Sequence, residues 1–372
     1  MTRLFKVEFY FILLVVILTL RESFVFFSYG TTVFNAAILL FLLPIFASSR
    51  INSDFYAVFS LVLFLLISVF ININYLHLGG FNTFILLLTS LPFFFLKPLS
   101  VNSKQLSKNL MVFSLVFLFV VYFYYLTGSQ VILERISFIL AGPYVNQNTL
   151  SMILLSLIAL LLNFYNRNTV SRFKKTAFHM IIFILYLSIV LTQARAAMLS
   201  AGVLLLFYYR NKIFFVLPLL LILSFTVMYF NPDISSRLLL KLTSSSSAGR
   251  VGFWVEVITA MLGDIKAFLF GYGVNNTMME YQGATLSVHN SYVNFLANYG
   301  FIAFSFLIML LLYTLYKSYQ ASSLVFVSVI SLLFYGLFET VIFSGYSVVW
   351  VTLLFIYYTR SEVKNAHINY SI

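Results

Sequence analysis

Three basic side chains are the residues of this sequence best suited to chemistry. Arg195 stands in the segment Thr-Gln-Ala-Arg-Ala-Ala, Arg250 in Gly-Arg-Val-Gly-Phe-Trp, and His289 in Ser-Val-His-Asn-Ser-Tyr. A guanidinium binds two phosphate oxygens at once, and an imidazole exchanges a proton near neutral pH. This combination suits the binding of a phosphorylated substrate and the transfer of a proton from an attacking hydroxyl.

Each of these residues also has a purely structural interpretation. Arg195 begins a small and apolar segment, so its long side chain can simply extend to water. Its neighbours Ala194, Ala196 and Ala197 allow other helices to pack closely around it, which favours an anion ligand. A single histidine is often structural, but His289 stands at the end of the large loop between two apolar segments, just before residues that start helices.

A second group of polar residues accompanies these three. We predict that they contact the substrate: Asn146, Asn148, Asn290, Tyr292 and Arg237. Asn146 and Asn148 precede an apolar segment, where helix capping explains one asparagine but not two. Arg237 and the nearby Lys241 can equally be solvated charges. Arg250 begins a predicted helix, where a cation is unfavourable for the helix dipole, so another role must explain it.

The sequence lacks the motifs of several other kinds of site. It contains no cysteine, so it has neither a thiolate nucleophile nor a cysteine metal site. It also lacks a Walker motif, a His-Glu-x-x-His pair, an Asp-x-Asp pair and a Gly-x-Ser-x-Gly turn. We therefore expect no metal and no cofactor.

The composition indicates the elements that must position these residues. Of 372 residues, 62% are hydrophobic and only 9% are charged, with 44 Phe and 25 Tyr. A soluble domain usually carries about 25% charged residues. Apolar segments of about 20 residues, the length that crosses a bilayer as a helix, recur along the chain. The sequence therefore predicts an all-α polytopic integral membrane protein.

We predict about twelve membrane spans and three regions. Residues 1–230 form a bundle of nine spans, residues 231–289 form one large outer loop, and residues 290–372 hold three more spans and a short tail. The predicted spans are 7–28, 31–47, 55–73, 81–98, 109–127, 149–166, 176–193, 195–210, 213–230, 290–316, 322–339 and 342–359.

The distribution of Lys and Arg predicts the orientation. Fifteen of the 22 cations fall on one side of the predicted spans and seven on the other. By the positive-inside rule, both termini are then cytoplasmic and the large loop is outside. The formal charge of +12 alternates between loops instead of forming one patch, so we expect membrane lipids as partners and no nucleic acid.

Two outer segments have a pattern of their own. In the large loop, apolar residues follow Arg250 at spacings of three and four: Val251, Trp254, Val255, Ile258, Met261 and Leu262. This spacing predicts an amphipathic helix on the membrane surface or over the bundle, ended by Phe270-Gly-Tyr-Gly. In the outer segment 127–148, the short apolar stretch Val131–Ala141 predicts a re-entrant or interfacial piece.

Four segments, in this order, resemble the O-antigen polymerase and O-antigen ligase superfamily of bacterial envelope enzymes. They are Gly142–Asn148, Leu191–Ala197, then Gly249–Trp254 with Phe270–Gly273, and finally His289–Tyr292 followed by Asn298–Phe301. The resemblance covers about residues 140–310. It departs from the family pattern where this chain has Ala194-Arg195-Ala196 for Ser-Arg-Gly and Asn146-Gln147-Asn148 for Asn-Pro-Asn.

The resemblance implies a GT-C-like glycosyltransferase that needs no metal and uses an undecaprenyl-pyrophosphate-linked oligosaccharide. Arg195 and Arg250 would hold the pyrophosphate, and His289 would activate or orient the acceptor hydroxyl. Glu22, in the first outer loop, is a rival base. The large loop would be periplasmic, the enzyme would lie in the bacterial inner membrane, and a chain-length regulator protein is a possible partner.

The sequence leaves two other functions open. A ligase of the same superfamily would transfer the glycan to lipid A-core, whereas a polymerase joins one lipid-linked glycan to another. A transporter or flippase of lipid-linked sugars belongs to a different class and would place charged residues near the bilayer midplane, in repeated halves. The candidate residues lie instead at one face, which favours an enzyme over a transporter. Between the two enzymes, the form of the motifs and the Phe-, Tyr- and Asn-rich composition favour a polymerase.

Overall fold

The fold is mostly helical in the part of the chain that the structure describes. This computed structural model describes residues 7–21, 103–127, 147–165, 172–230, 246–273, 279–281, 284–286, 288–339 and 348–360. The helices are α1 Val7–Arg21, α2 Ser103–Leu126, α3 Gln147–Phe164, α4 Arg172–Leu191, α5 Arg195–Tyr208, α6 Ile213–Phe230, α7 Ser246–Leu262, α8 Ile265–Phe270, α9 Ser291–Ala321, α10 Ser323–Tyr335 and α11 Val348–Arg360.

Four of these helices, α2, α3, α4 and α9, are long and apolar enough to cross a membrane. Helix α5 and the segment after it, which begins with the 3₁₀ turn Arg210–Lys212, meet at a bend of 85° and together could form a fifth span. These helices are consistent with the predicted membrane class. The predicted spans 31–47, 55–73 and 81–98 lie outside the described residues, so the count of twelve stays a prediction.

The chain forms two compact units. The first contains Met1–Ser48, Leu99–Arg237 and Ser322–Leu332, and the second contains Ser49–Pro98, Leu238–Ala321 and Leu333–Ile372. The sequence-based division at residues 230 and 289 follows the predicted topology, whereas these units follow contacts between residues. Arg195 lies in the first unit, and Arg250 and His289 lie in the second.

Helix α3 is the centre of the first unit. Its residues from Leu150 to Phe164 are all buried, so neighbouring helices surround it on every side. The Asn163 side chain donates to Ser328 Oγ of α10 over 2.7 Å. The hydroxyls of Tyr122 on α2 and Ser188 on α4 are 3.1 Å apart. Such hydrogen bonds join helices in a lipid environment, where burial of apolar surface does not drive them together.

The predicted amphipathic helix is two helices, α7 and α8. The chain turns at Gly263, and Asp264 Oδ1 accepts hydrogen bonds from the N–H groups of Lys266 and Ala267 at 2.9 and 3.3 Å. This side chain satisfies two N–H groups at the start of α8, and the helix is therefore interrupted. A continuous helix up to Phe270 was a wrong prediction.

The apolar residues predicted for α7 divide between two sides of the helix. Phe253, Val257 and Met261 are buried in the second unit, at a spacing of four residues. Val251 and Val255, which the sequence pattern assigned to the same apolar face as Met261, are exposed. Both faces of α7 are apolar, so periodicity alone does not identify the side that packs against the protein.

One short hairpin accompanies the helices. Strands β1 Met279–Tyr281 and β2 Ala284–Leu286 pair antiparallel, with Met279 opposite Leu286 and Tyr281 opposite Ala284. The hairpin lies in the predicted outer loop, a few residues before His289. The all-helical prediction therefore holds for the described residues apart from this pair of strands.

Candidate functional site

His289 lies immediately before the start of α9, in an unusual backbone conformation. Its φ angle is +43°, in the left-handed region that few non-glycine residues adopt. The next residue, Asn290, caps α9: its Oδ1 accepts from the N–H groups of Tyr292 and Val293 at 2.9 and 3.1 Å. The sharp turn and the cap together fix the direction in which the imidazole leaves the chain. The predicted helix start at Asn290 is thus confirmed.

A carboxylate faces this histidine. Glu339 Oε2 lies 3.8 Å from His289 Nδ1, with the histidine side chain 38% exposed and the glutamate side chain 13% exposed. The separation is within ion-pair range and longer than a hydrogen bond. Pairs of catalytic side chains often stand at such distances without substrate and shorten when it binds. Nδ1 is buried and has no hydrogen-bond partner of its own.

The first residue of α9 holds Glu339 in place. Ser291 Oγ donates to the carbonyl oxygen of Glu339, and the Ser291 N–H donates to Gly336 O at 2.8 Å. Sequence analysis did not identify Glu339. The available signal was its isolation: it is the only Asp or Glu between residues 281 and 361, and it stands at the end of a predicted span.

The hydroxyl of Tyr292 is engaged within the protein. It donates to the carbonyl oxygen of Leu333 at 2.9 Å, on the same segment that carries Glu339. The capping by Asn290 and this bond both position the start of α9. Substrate contact by Asn290 or Tyr292 stays a prediction, and their observed bonds describe a supporting role.

Helix α7 is attached directly to the segment that precedes His289. Trp254 Nε1 donates to the carbonyl oxygen of Val288 at 2.6 Å. Around this bond, Phe253, Val257, Met261, Val288 and Ala297 form a buried apolar cluster. Arg250 lies on α7 four residues before Trp254, one helical turn or about 6 Å along the axis. The backbone of Arg250 is thereby brought near the start of α9.

A second connection is made by backbone atoms alone. Helix α9 is broken at Gly300, where φ is +78°. The carbonyls of Ala297 and Asn298, just before the break, therefore lack the N–H donors that the next turn of an unbroken helix would supply. The N–H groups of Tyr272 and Gly273 donate to these two carbonyls at 2.8 and 3.1 Å. The Phe270–Gly273 segment thus supplies the hydrogen-bond donors that are missing at the break in α9.

Glycines make this approach possible. Gly271 and Gly300 both have positive φ. A Cβ atom on Gly271 would collide with the Asn298 carbonyl, and one on Gly300 would collide with the Leu269 carbonyl.

The hydroxyl of Tyr272, next to Gly271, stays protonated. Burial, and to a smaller extent the charge of Asp264, raises its pKa, so the hydroxyl is able to donate a hydrogen bond.

Arg195 begins α5 in the first unit and is half-buried. The chain turns from α4 into α5 within three residues, and Gln193 in this turn has a φ of +58°. The cap residue Ala194 supplies no side-chain acceptor to the first turn of α5. A helix start of this kind, carrying an arginine, suits an anion.

The other predicted site residues are only partly described. Asn148 lies in the first turn of α3, where its carbonyl oxygen accepts from Ser151 Oγ at 2.9 Å. Asn146, Arg237 and the rival base Glu22 lie outside the described residues, and so does the predicted re-entrant stretch Val131–Ala141. Within the described part of the chain, no group of three or more His, Asp or Glu could hold a metal ion.

The arrangement around His289 can perform one kind of step. Its ring stands at the surface of the second unit with a carboxylate behind it, so it can take a proton from a hydroxyl and keep the charge beside Glu339.

Neither a known family model nor a curated protein sequence matches this chain.

Proposed function

We propose that this protein is a membrane glycosyltransferase of the O-antigen polymerase type. It would join oligosaccharide repeat units carried on undecaprenyl pyrophosphate at the periplasmic face of a bacterial inner membrane. One observation supports this proposal. Of the segments that carry the resemblance, those in the second unit are joined by hydrogen bonds: Trp254 donates to Val288, next to His289, and Tyr272 and Gly273 donate to Ala297 and Asn298 on α9.

The proposed reaction is a single transfer. An acceptor hydroxyl attacks the anomeric carbon of the donor sugar, a new C–O bond forms, and the bond from that carbon to the pyrophosphate breaks. His289 takes the proton of the hydroxyl, and undecaprenyl pyrophosphate leaves with the bonding electrons. Glu339 lies on the Nδ1 side of the ring. We therefore propose that Nε2 accepts the proton of the hydroxyl and that Glu339 acts as a positioning residue.

The arginines would stabilise the leaving group. Arg250 lies on α7 of the second unit, and a guanidinium beside the pyrophosphate would stabilise the charge that develops on it. Arg195 lies in the first unit, and its proposed role in pyrophosphate binding rests on the resemblance and on its place at the start of α5, where Ala194 gives no side-chain cap. Two guanidinium groups would balance this charge without a metal.

The burial of polar residues supports an enzyme over a transporter. Among the described residues, those that are both polar and buried are Ser, Thr and Asn, and none is Asp, Glu, Lys, Arg or His. A transporter of charged lipids usually places ionisable residues in the interior of the bundle.

Deletion of the gene in its bacterium, with analysis of the lipopolysaccharide by gel, tests the proposal. A polymerase is indicated if the ladder collapses to lipid A-core carrying a single repeat unit. Loss of every repeat unit from lipid A-core, with long lipid-linked polymer retained, would indicate a ligase. Lipid-linked single units held at the cytoplasmic face would indicate a flippase. An unchanged ladder would overturn all three.

A further inference from the structure

Five exposed cations lie in two short segments of the first unit. Arg172, Lys174 and Lys175 occupy the first turn of α4, and Arg210 and Lys212 occupy the 3₁₀ turn between α5 and α6. We call this set the basic corner. The proposed transfer reaction uses none of these residues.

Contacts between aromatic residues bring the two segments together. His179 Nδ1 and the Tyr209 hydroxyl are 2.6 Å apart, and the two rings are 5.5 Å apart. His179 follows Lys175 by one turn of α4, about 6 Å along the helix, and Tyr209 immediately precedes Arg210. The cations of α4 and of the 3₁₀ turn therefore lie around one contact.

Among the described residues, no carboxylate pairs with these cations. Residues 135–232 contain no Asp or Glu. In the part of the chain that the structure describes, no cation of the basic corner forms an ion pair, and Arg210 instead lies 5.4 Å from the ring centre of Phe207. Three of the cations stand at the start of α4, where the helix dipole opposes positive charge. An external anion would relieve both effects.

The aromatic residues between the cations indicate where this anion belongs. Phe173 is 83% exposed, Phe214 90% and Phe215 81%. Exposed aromatic rings beside Lys and Arg are typical of the layer between lipid tails and water. A free, soluble anion would leave these rings exposed to water, whereas a lipid would cover them.

Helix α6 places the basic corner at a lipid boundary. The chain bends by 85° at the corner and continues into α6. The described side chains of α6 are apolar and mostly exposed, as at Ile222 and Phe225. A helix that is apolar on all sides requires lipid around it. The corner therefore lies where the chain passes from lipid tails to headgroups.

We infer that the basic corner binds the headgroups of anionic phospholipids. The cations pair with the phosphate groups, and the phenylalanines enter the adjacent apolar layer. This inference does not depend on the transfer reaction or on the side of the membrane that the corner faces.

Native mass spectrometry of the purified full-length protein tests the inference. Protein in a neutral detergent is titrated with phosphatidylglycerol, with phosphatidylcholine and with inorganic phosphate. One Lys or Arg near an anionic surface contributes about fivefold to affinity. We expect R210Q/K212Q to weaken phosphatidylglycerol binding about 25-fold, and R172Q/K174Q/K175Q about 100-fold. Phosphatidylcholine should bind weakly, and inorganic phosphate should not displace the anionic lipid.

The matched control is K104Q/K108Q, which removes two exposed cations at the start of α2. It should bind phosphatidylglycerol as the unaltered protein does. The exchanged residues are all exposed, so size-exclusion profiles should be unchanged. Unaltered binding in both corner variants would overturn the inference. An equal loss in the control would also overturn it, and displacement by inorganic phosphate would assign the corner to a free anion instead.

Discussion

Helices α5 and α9 begin in the same way and then differ in one respect. Each follows a non-glycine residue with positive φ, Gln193 at +58° and His289 at +43°, and each begins two residues later. At α9, Asn290 accepts hydrogen bonds from two N–H groups of the first turn. At α5, the side chain of the corresponding residue, Ala194, has no acceptor atom and makes no such cap.

The difference separates two kinds of chemistry. At the start of α9, the Asn290 side chain binds two N–H groups of the first turn, so these groups do not need a substrate anion as acceptor. His289, just before this start, is therefore available for another role. An imidazole beside a carboxylate is suited to moving a proton. The start of α5 offers N–H groups and the positive end of the helix dipole to an anion, and adds a guanidinium. Under the proposed function, the start of α9 would carry the residue that moves the proton, and the start of α5 would bind the pyrophosphate.

The largest expected effect concerns the glycines that support the start of α9. Gly271→Ala and Gly300→Ala each place a Cβ against backbone at a positive φ, and each should cost about 3 kcal/mol or more. We expect most of either variant to be lost from the membrane fraction, as measured by immunoblot and by thermal melting in detergent.

Gly202→Ala is the matched control on α5. A Cβ at Gly202 meets no atom within 4 Å, and alanine favours a helix over glycine by about 0.5–1 kcal/mol. This variant should be at least as stable as the unaltered protein. Tolerance of alanine at Gly271 would show that the backbone connection to α9 is dispensable.

The next effect concerns the cation at α5. Arg195→Lys keeps the charge but loses the two-pronged hydrogen bonding of the guanidinium. We expect transfer to fall about 10²-fold while the protein remains in the membrane. The rate is measured with lipid-linked repeat units, and Lys317→Arg, a charge-preserving exchange on α9 at a residue without a proposed role, serves as the control. Full activity of Arg195→Lys would assign Arg195 a structural role.

The smallest effects come from exchanging the two caps. Asn290→Ala should destabilise the protein by about 1 kcal/mol, and Ala194→Ser should stabilise it by a similar amount. The serine would also occupy an N–H group that the pyrophosphate is proposed to use. We therefore expect Ala194→Ser to raise the KM for the lipid donor several-fold with little change in kcat. An unchanged KM would separate the start of α5 from donor binding.

The sequence predicted those parts of the molecule that depend on local pattern. The apolar stretches 109–127, 149–166, 176–193 and 290–316 correspond to α2, α3, α4 and α9, with ends that differ by a few residues. Asn290 starts a helix as its residue type predicts. In each case, the deciding interactions connect residues close together in the chain, so one segment contains the whole signal.

The parts that were missed depend on contacts between distant segments. Glu339 faces His289 only because Ser291 binds the backbone 48 residues further on. At the break of α9 at Gly300, the N–H groups of Tyr272 and Gly273 bind carbonyls of α9. The sequence around Gly273 and around Gly300 does not show that these two segments meet. The pattern of α7 does not identify its packed side, since residues on both sides are apolar and contacts with Val288 and Ala297 bury one of them.

The most direct test is the rate of glycan transfer by purified protein supplied with lipid-linked repeat units. We expect His289→Ala to reduce this rate by about 10²–10⁴-fold, with donor binding retained, because assistance by a general base has this magnitude. Glu339→Gln should reduce it less, and Glu22→Gln should leave it near the original value. Full activity in His289→Ala, with loss in Glu22→Gln, would contradict the assignment and make Glu22 the base.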